Sequence, residues 1–158
     1  MATELMEIYL TDHFAGATAG CRRMRRLADA ERMAEDGGAL QRIANEVDED
    51  RTTLLSIMKT EGIEPRWYKA AMARVGEALG TLKSNGELFG RSSLSSVVDL
   101  EAMRMGVTGK LDLWSALRET ELADRQDFDA LIDRATRQLH DLDEAHRRRV
   151  GALDSMAR

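Results

Sequence analysis

The chain has 158 residues, a net charge of −5 and one cysteine, and 32% of its residues are charged against 43% hydrophobic. This length suits one domain, residues 1–158, with one hydrophobic core. One proline, 4% aromatic residues and many Ala, Leu, Met, Arg and Glu residues favour helices over sheets. The negative charge argues against a nucleic-acid partner.

Membrane insertion and secretion are not expected from this sequence. No apolar run reaches the roughly 20 residues that a membrane-spanning helix needs. The segment MATELMEIYL lacks the basic start and the apolar stretch of a signal peptide. Cys21 alone provides neither a disulfide framework nor a cysteine metal cluster. We therefore expect a cytoplasmic protein with no membrane partner.

The first two predicted helices form a hairpin. The spacing of apolar residues predicts helix A over about residues 3–36 and helix B over about residues 39–61. The pair Gly37-Gly38 is the predicted break, and so short a turn makes the helices antiparallel. The predicted core face of helix A consists of Leu5, Ile8, Asp12, Ala15, Ala19, Met24 and Leu27.

A long crossover separates the second and third long helices. It contains a short predicted helix over about residues 65–83, and it is long enough to return along the bundle, which leaves helices B and C parallel. Helix C is predicted over about residues 93–120, with Met105 on its stripe and a kink or break near 106–109 at Gly106 and Gly109. Helix D is predicted over about residues 125–156. This order predicts an all-α, ferritin-like four-helix bundle with a helical crossover.

Three segments resemble a known group of proteins. The stretch LKSNGELFGRSSLSSVVDLEAMRMGVTGKLDLW, residues 82–114, is similar to the signature region of uncharacterised actinobacterial ferritin-like proteins. The segments IYLTDHFAGATAG and EVDEDRTTLLSIM are similar to the same group, so the resemblance extends over nearly the whole chain. The resemblance implies a ferritin-like fold and implies no activity.

Four residues are weak metal candidates. Ferritin-like metal centres use carboxylates together with Glu-x-x-His pairs, and this chain has no Glu-x-x-His. Counting from the predicted turns brings Glu46, Asp50, Glu101 and His146 to similar depths in the bundle. Glu46-x-x-Glu49 and Asp143-x-x-His146 have the spacing of that missing motif, and iron or manganese would be the cofactor.

Arginines opposite these acids favour a different interpretation. Counting from Gly37-Gly38 brings Arg23 opposite Asp50, and Arg26 or Leu27 opposite Glu46. A guanidinium neutralises a carboxylate without metal and repels a divalent cation. The favoured prediction is therefore a set of structural ion pairs, with no metal and no other cofactor.

The run Ala15–Gly20 consists of small residues inside a long helix, which lowers helix propensity. The favoured explanation is close packing against another helix or a large side chain such as Trp67 or Trp114. The alternative is a cavity near Gly16 and Gly20 that holds a small apolar ligand.

No catalytic residues are assigned from the sequence. The serines at 92, 93, 95 and 96 suit helix capping, and Cys21 suits a small buried side chain. We expect a non-catalytic structural or interaction module that self-associates as a homodimer. The alternative is a degenerate metal-carboxylate bundle that binds or oxidises iron.

Overall fold

Four long helices make up most of the part of the chain that the structure describes. The computed structural model describes residues 3–63 and 93–156. Helix α1 spans Glu4–Ala30, α2 spans Gly37–Thr60, α3 spans Ser93–Arg118 and α4 spans Phe128–Met156, with a 3₁₀ turn at Glu121–Asp124. The described residues contain no strand, so the predicted all-α four-helix bundle is confirmed. The predicted crossover helix lies outside the described residues.

Side-chain contacts establish the directions of the helices. As the residue number increases along α2 or along α3, the number of the contacting residue on α4 decreases. Helix α4 is therefore antiparallel to both α2 and α3. Helices α2 and α3 are therefore parallel, as the sequence predicted. The contacts are Arg42–Asp141 and Asp50–Arg134 between α2 and α4, and Glu101–His146 and Lys110–Gln138 between α3 and α4.

The first helix ends earlier than predicted. Helix A was expected to run to residue 36, but α1 ends at Ala30, and Gly37 begins α2 instead of breaking the chain. Glu31 and Asp36, in the turn, both accept hydrogen bonds from Arg149 of α4. A Cβ on Gly37 would lie 2.5 Å from the carbonyl oxygen of Arg32, so the tight turn requires glycine there. These tertiary contacts leave no signal in the local sequence.

The predicted core face of α1 is wrong at its N-terminal end. Leu5 and Ile8 are 79% and 53% exposed, whereas Leu10 and Phe14 are buried. The helix carries apolar residues on two neighbouring faces here, and contacts with the other helices select one. Met105 of α3 was also expected on the buried stripe, but it is 64% exposed.

Helix α3 is one helix, not two. The helix continues through Gly106 and Gly109, where the sequence predicted a kink or a break. Buried residues on either side of the two glycines, Met103 and Leu113 among them, belong to the apolar clusters shared with the other helices. Such packing outweighs the low helix propensity of two glycines, because tertiary contacts supply most of the stability of a protein helix.

The buried apolar residues form two clusters along the bundle. The first cluster includes Met24, Leu40 and Leu142, and the second includes Leu10, Leu54 and Phe128. Among the described residues, no helix is long and apolar enough to cross a membrane.

Candidate functional site

A cavity of about 340 Å³ lies between α1, α2 and α3, where the two clusters meet. Its wall includes Val47 and Val107 of the first cluster and Leu54 and Leu113 of the second. The wall is mainly apolar and partly open to solvent. A volume above about 300 Å³ is in the range of small-molecule sites in proteins.

Four glycines line this cavity: Gly16 and Gly20 on α1, and Gly106 and Gly109 on α3. A Cβ built on any of them would meet no described atom within 4 Å. Close packing of Trp114 or of another described residue against Gly16 and Gly20 is therefore not found, and a cavity lies beside them. Trp67, the other large side chain named in that prediction, lies outside the described residues. Each glycine costs the helix roughly 1 kcal/mol relative to alanine, about 4 kcal/mol in all.

Trp114 carries a buried hydrogen-bond donor that has no partner in the described part of the chain. It lines the cavity, is 1% exposed and packs near Phe128, with ring centroids 6.1 Å apart. Among the described residues, its Nε1 and Thr11 Oγ1 are the buried side-chain polar atoms without a hydrogen-bond partner. An unsatisfied buried donor costs about 1–3 kcal/mol, so most buried donors in proteins are paired.

The polar part of the wall centres on Asp50. Its side chain is 1% exposed, with Lys110 Nζ 2.5 Å from Oδ2 and Arg134 Nη1 3.0 Å from Oδ1. Two cations from two different helices therefore neutralise one buried carboxylate. Burial lowers the pKa of Lys110, and the charge of Asp50 opposes that shift.

A buried amide extends this group towards solvent. Gln138, 1% exposed, accepts a hydrogen bond from Lys110 through Oε1 and donates one to Glu46 Oε2 over 2.8 Å. Glu46 also lies 3.8 Å from Arg42. A continuous polar chain thus runs from the cavity wall at Lys110 to the outer surface at Arg42.

The predicted partners of these acids were wrong. Arg23 had been expected beside Asp50, but it contacts Asp99, 3.3 Å away on α3. The predicted depth was also wrong, because counting from Gly37-Gly38 brings Arg26 opposite Val47, whereas Cys21 of α1 donates a hydrogen bond to the carbonyl oxygen of Val47 over 3.3 Å. The two acids lie on faces of α2 directed to α3 and α4, which helical counting against α1 alone does not reveal.

The other two metal candidates, Glu101 and His146, contact each other, but no third metal-ligating side chain among the described residues joins them. His146 Nε2 is 3.1 Å from Glu101 Oε1, as their equal distance from the turn predicted. Among residues 3–63 and 93–156, no group of three or more His, Cys, Asp or Glu side chains is arranged to hold a metal ion. Asp50 is bonded to Lys110 and Arg134 instead, and these cations disfavour a divalent ion there.

Two further wall residues have perturbed ionisation. Burial lowers the pKa of His13, an effect that Asp12 and Asp112 oppose. Burial raises the pKa of the Cys21 thiol, which nearby Arg51 partly offsets. Both groups therefore favour their neutral forms at the cavity.

Sequence reasoning did not single out Lys110 or Gln138 as members of this polar group, and it named Trp114 only as a possible packing partner of the run Ala15–Gly20. Lys110 lies inside the continuous helix α3, next to Gly109, where the sequence predicted a kink or a break. One sequence feature could have indicated this polar group. Arg134 and Gln138 are polar residues four positions apart, and they lie among the buried apolar positions of α4.

Comparison with known proteins finds no matching family model, and no curated protein or solved structure matches the chain.

Proposed function

We propose that this protein is a non-catalytic binding module that holds a small, mainly apolar molecule in the central cavity. One observation carries the proposal: the cavity of about 340 Å³ with its four glycines, at which a Cβ would meet no described atom. A cavity and glycines inside helices both reduce stability. Residues that reduce the stability of a protein are expected mainly at its functional sites.

The same proposal includes a ferritin-like architecture without a resident metal. The parallel arrangement of α2 and α3 supports the first part, and the resemblance of the sequence segments points the same way. The two cations bonded to Asp50 support the second part. Metal analysis of protein purified without chelators tests it, and stoichiometric iron or manganese would contradict it.

Binding of octanol, a neutral apolar probe, tests the proposed function. We expect saturable binding in calorimetry, and we expect bound octanol to slow alkylation of Cys21, the only cysteine of the chain. The variant Gly20→Leu should fill the cavity and abolish binding. Gly151→Leu is the matched control, since Gly151 lies in α4, outside the cavity.

Loss of octanol binding in both leucine variants would show that binding does not occur in the cavity. Folding of each variant is checked by circular dichroism and by its unfolding midpoint in urea. A folded wild-type protein that binds no octanol would overturn the proposal.

Self-association, expected from the sequence, stays a prediction. Leu5 and Ile8 on α1 and Met105 on α3 are large exposed apolar residues that such an interface would use. Sedimentation over a range of protein concentrations tests it, and a monomer at every concentration would contradict it.

A further inference from the structure

Two residues of the cavity wall, Lys110 and Trp114, carry hydrogen-bond donors with unused capacity. The ammonium of Lys110 has three protons, and its partners among the described residues are Asp50 and Gln138. The buried Nε1–H of Trp114 has no partner. Both residues line the same cavity on α3, four positions apart, and residues at that spacing share one helix face.

The charges around Lys110 favour an anion. The oxygens of buried Asp50 already accept from Lys110 and from Arg134, whose side chain is 28% exposed, so this carboxylate has two cationic partners. Glu49 also bonds to Arg134, but its side chain is 64% exposed, where water screens the interaction. The remaining cation of the wall, Arg51, is paired with Asp48.

The acidic residues of the wall do not reverse this preference. Asp12 is exposed to solvent, and Asp50 is bonded by both cations. His13 favours its neutral form because burial lowers its pKa. A ligand cation would therefore meet the ammonium of Lys110 without an unpaired buried carboxylate to compensate.

We propose that the ligand is a small apolar monocarboxylate, whose carboxylate binds between Lys110 and Trp114 and whose apolar part lies against the glycines and leucines. This inference rests on the proposed function and adds the chemical class of the ligand. A single negative charge matches the one surplus cation beside Asp50. The carboxylate would also satisfy the unpaired indole donor, since hydrogen bonds to charged groups are among the stronger ones.

Calorimetric titration of the unmodified protein with octanoate, octanol and octylamine tests the inference. The three probes share one alkyl chain and differ in the head group. We expect octanoate to bind about tenfold more tightly than octanol, since hydrogen bonds to charged groups are stronger than hydrogen bonds between neutral groups. Octylamine should bind more weakly than octanol.

Two variants locate the carboxylate. Trp114→Phe keeps an aromatic ring and removes the N–H, and it should weaken octanoate binding roughly threefold to tenfold. Lys110→Met should remove the preference for octanoate over octanol. Lys59→Met is the matched control, because Lys59 is an exposed lysine outside the cavity, and it should leave the preference unchanged.

The possible outcomes separate the two proposals. Equal binding of octanoate and octanol would overturn the carboxylate inference and leave the proposed function standing. If neither octanol nor octanoate binds, the proposed function itself fails. If Lys110→Met does not fold, the probe series on the unmodified protein and the Trp114→Phe variant still decide the question.

Discussion

Lys110 of α3 and Asp50 of α2 form an ion pair at the cavity wall, with Nζ 2.5 Å from Oδ2 and the two side chains 14% and 1% exposed. The pair connects the two parallel helices of the bundle. Arg134 bonds to the other oxygen of Asp50, so one carboxylate joins three helices. Buried charges of this kind are stable only while their partners remain.

Removing the carboxylate at this junction should be costly. Asp50→Ala leaves Lys110 buried without its anion, and we expect the free energy of unfolding to fall by about 3–5 kcal/mol. Urea denaturation measures the change. Glu49→Ala is the control, because Glu49 bonds to the same Arg134 but is 64% exposed, so it should cost less than about 1 kcal/mol. Equal losses in both variants would contradict the buried role of Asp50.

Replacing glycine by alanine should stabilise the protein beside the cavity and destabilise it in the turn before α2. Gly16→Ala and Gly20→Ala should each raise the free energy of unfolding by about 0.5–1 kcal/mol, because alanine favours the helix and its Cβ meets no described atom. Gly37→Ala should lower it, since the new Cβ would lie 2.5 Å from a backbone oxygen. Thermal and urea unfolding measure both effects, and a destabilised Gly20→Ala would contradict the open space beside α1.

Acidification should destabilise the protein through His13. Burial lowers its pKa from the ordinary value of 6.5, against the opposing charges of Asp12 and Asp112. Below about 6.5 the unfolded chain then binds more protons than the folded protein, so the free energy of unfolding falls as pH falls. The variant His13→Gln should remove this part of the pH dependence.

The measurement for His13 is the free energy of unfolding as a function of pH. His140→Gln serves as the control, because the side chain of His140 is 68% exposed. An identical pH slope in the wild-type protein and His13→Gln would show that His13 does not contribute.

Alkylation of Cys21 should be slow in the folded protein. Its thiol donates a hydrogen bond to Val47, and burial raises its pKa, so little of the reactive thiolate is present. Iodoacetamide should therefore label the native protein more slowly than the urea-unfolded protein, with incorporation followed by mass spectrometry. Equal rates in the two states would contradict the buried, bonded thiol.

The fold followed from local patterns, whereas the site depended on contacts between distant residues. Helical spacing and the position of the long crossover predicted four helices with α2 and α3 parallel. The cavity was only the less favoured alternative, because glycines in a helix are compatible with both close packing and empty space. Which one occurs depends on the distance between α1 and α3.

The ion pairs of Asp50 likewise depend on contacts between residues that are far apart along the chain. Counting residues from Gly37-Gly38 misplaced Asp50 along α1, because the turn lies between Ala30 and Gly37 and not at the two glycines. Its face on α2 also depends on how the helix is rotated. The actual partners, Lys110 and Arg134, are 60 and 84 residues away along the chain. The local sequence pattern does not determine how α2 is rotated about its axis, because that rotation depends on contacts with distant parts of the chain.

The position of the cavity between the two apolar clusters has a thermodynamic consequence. While the cavity lacks an occupant, the clusters share fewer contacts across the middle of the bundle than a continuous core would give. A bound molecule would touch Val107 on one side and Leu54 on the other, joining the clusters into one cooperative unit. Occupancy would therefore sharpen the unfolding transition as well as raise its midpoint, which makes the cooperativity of melting itself a readout of binding.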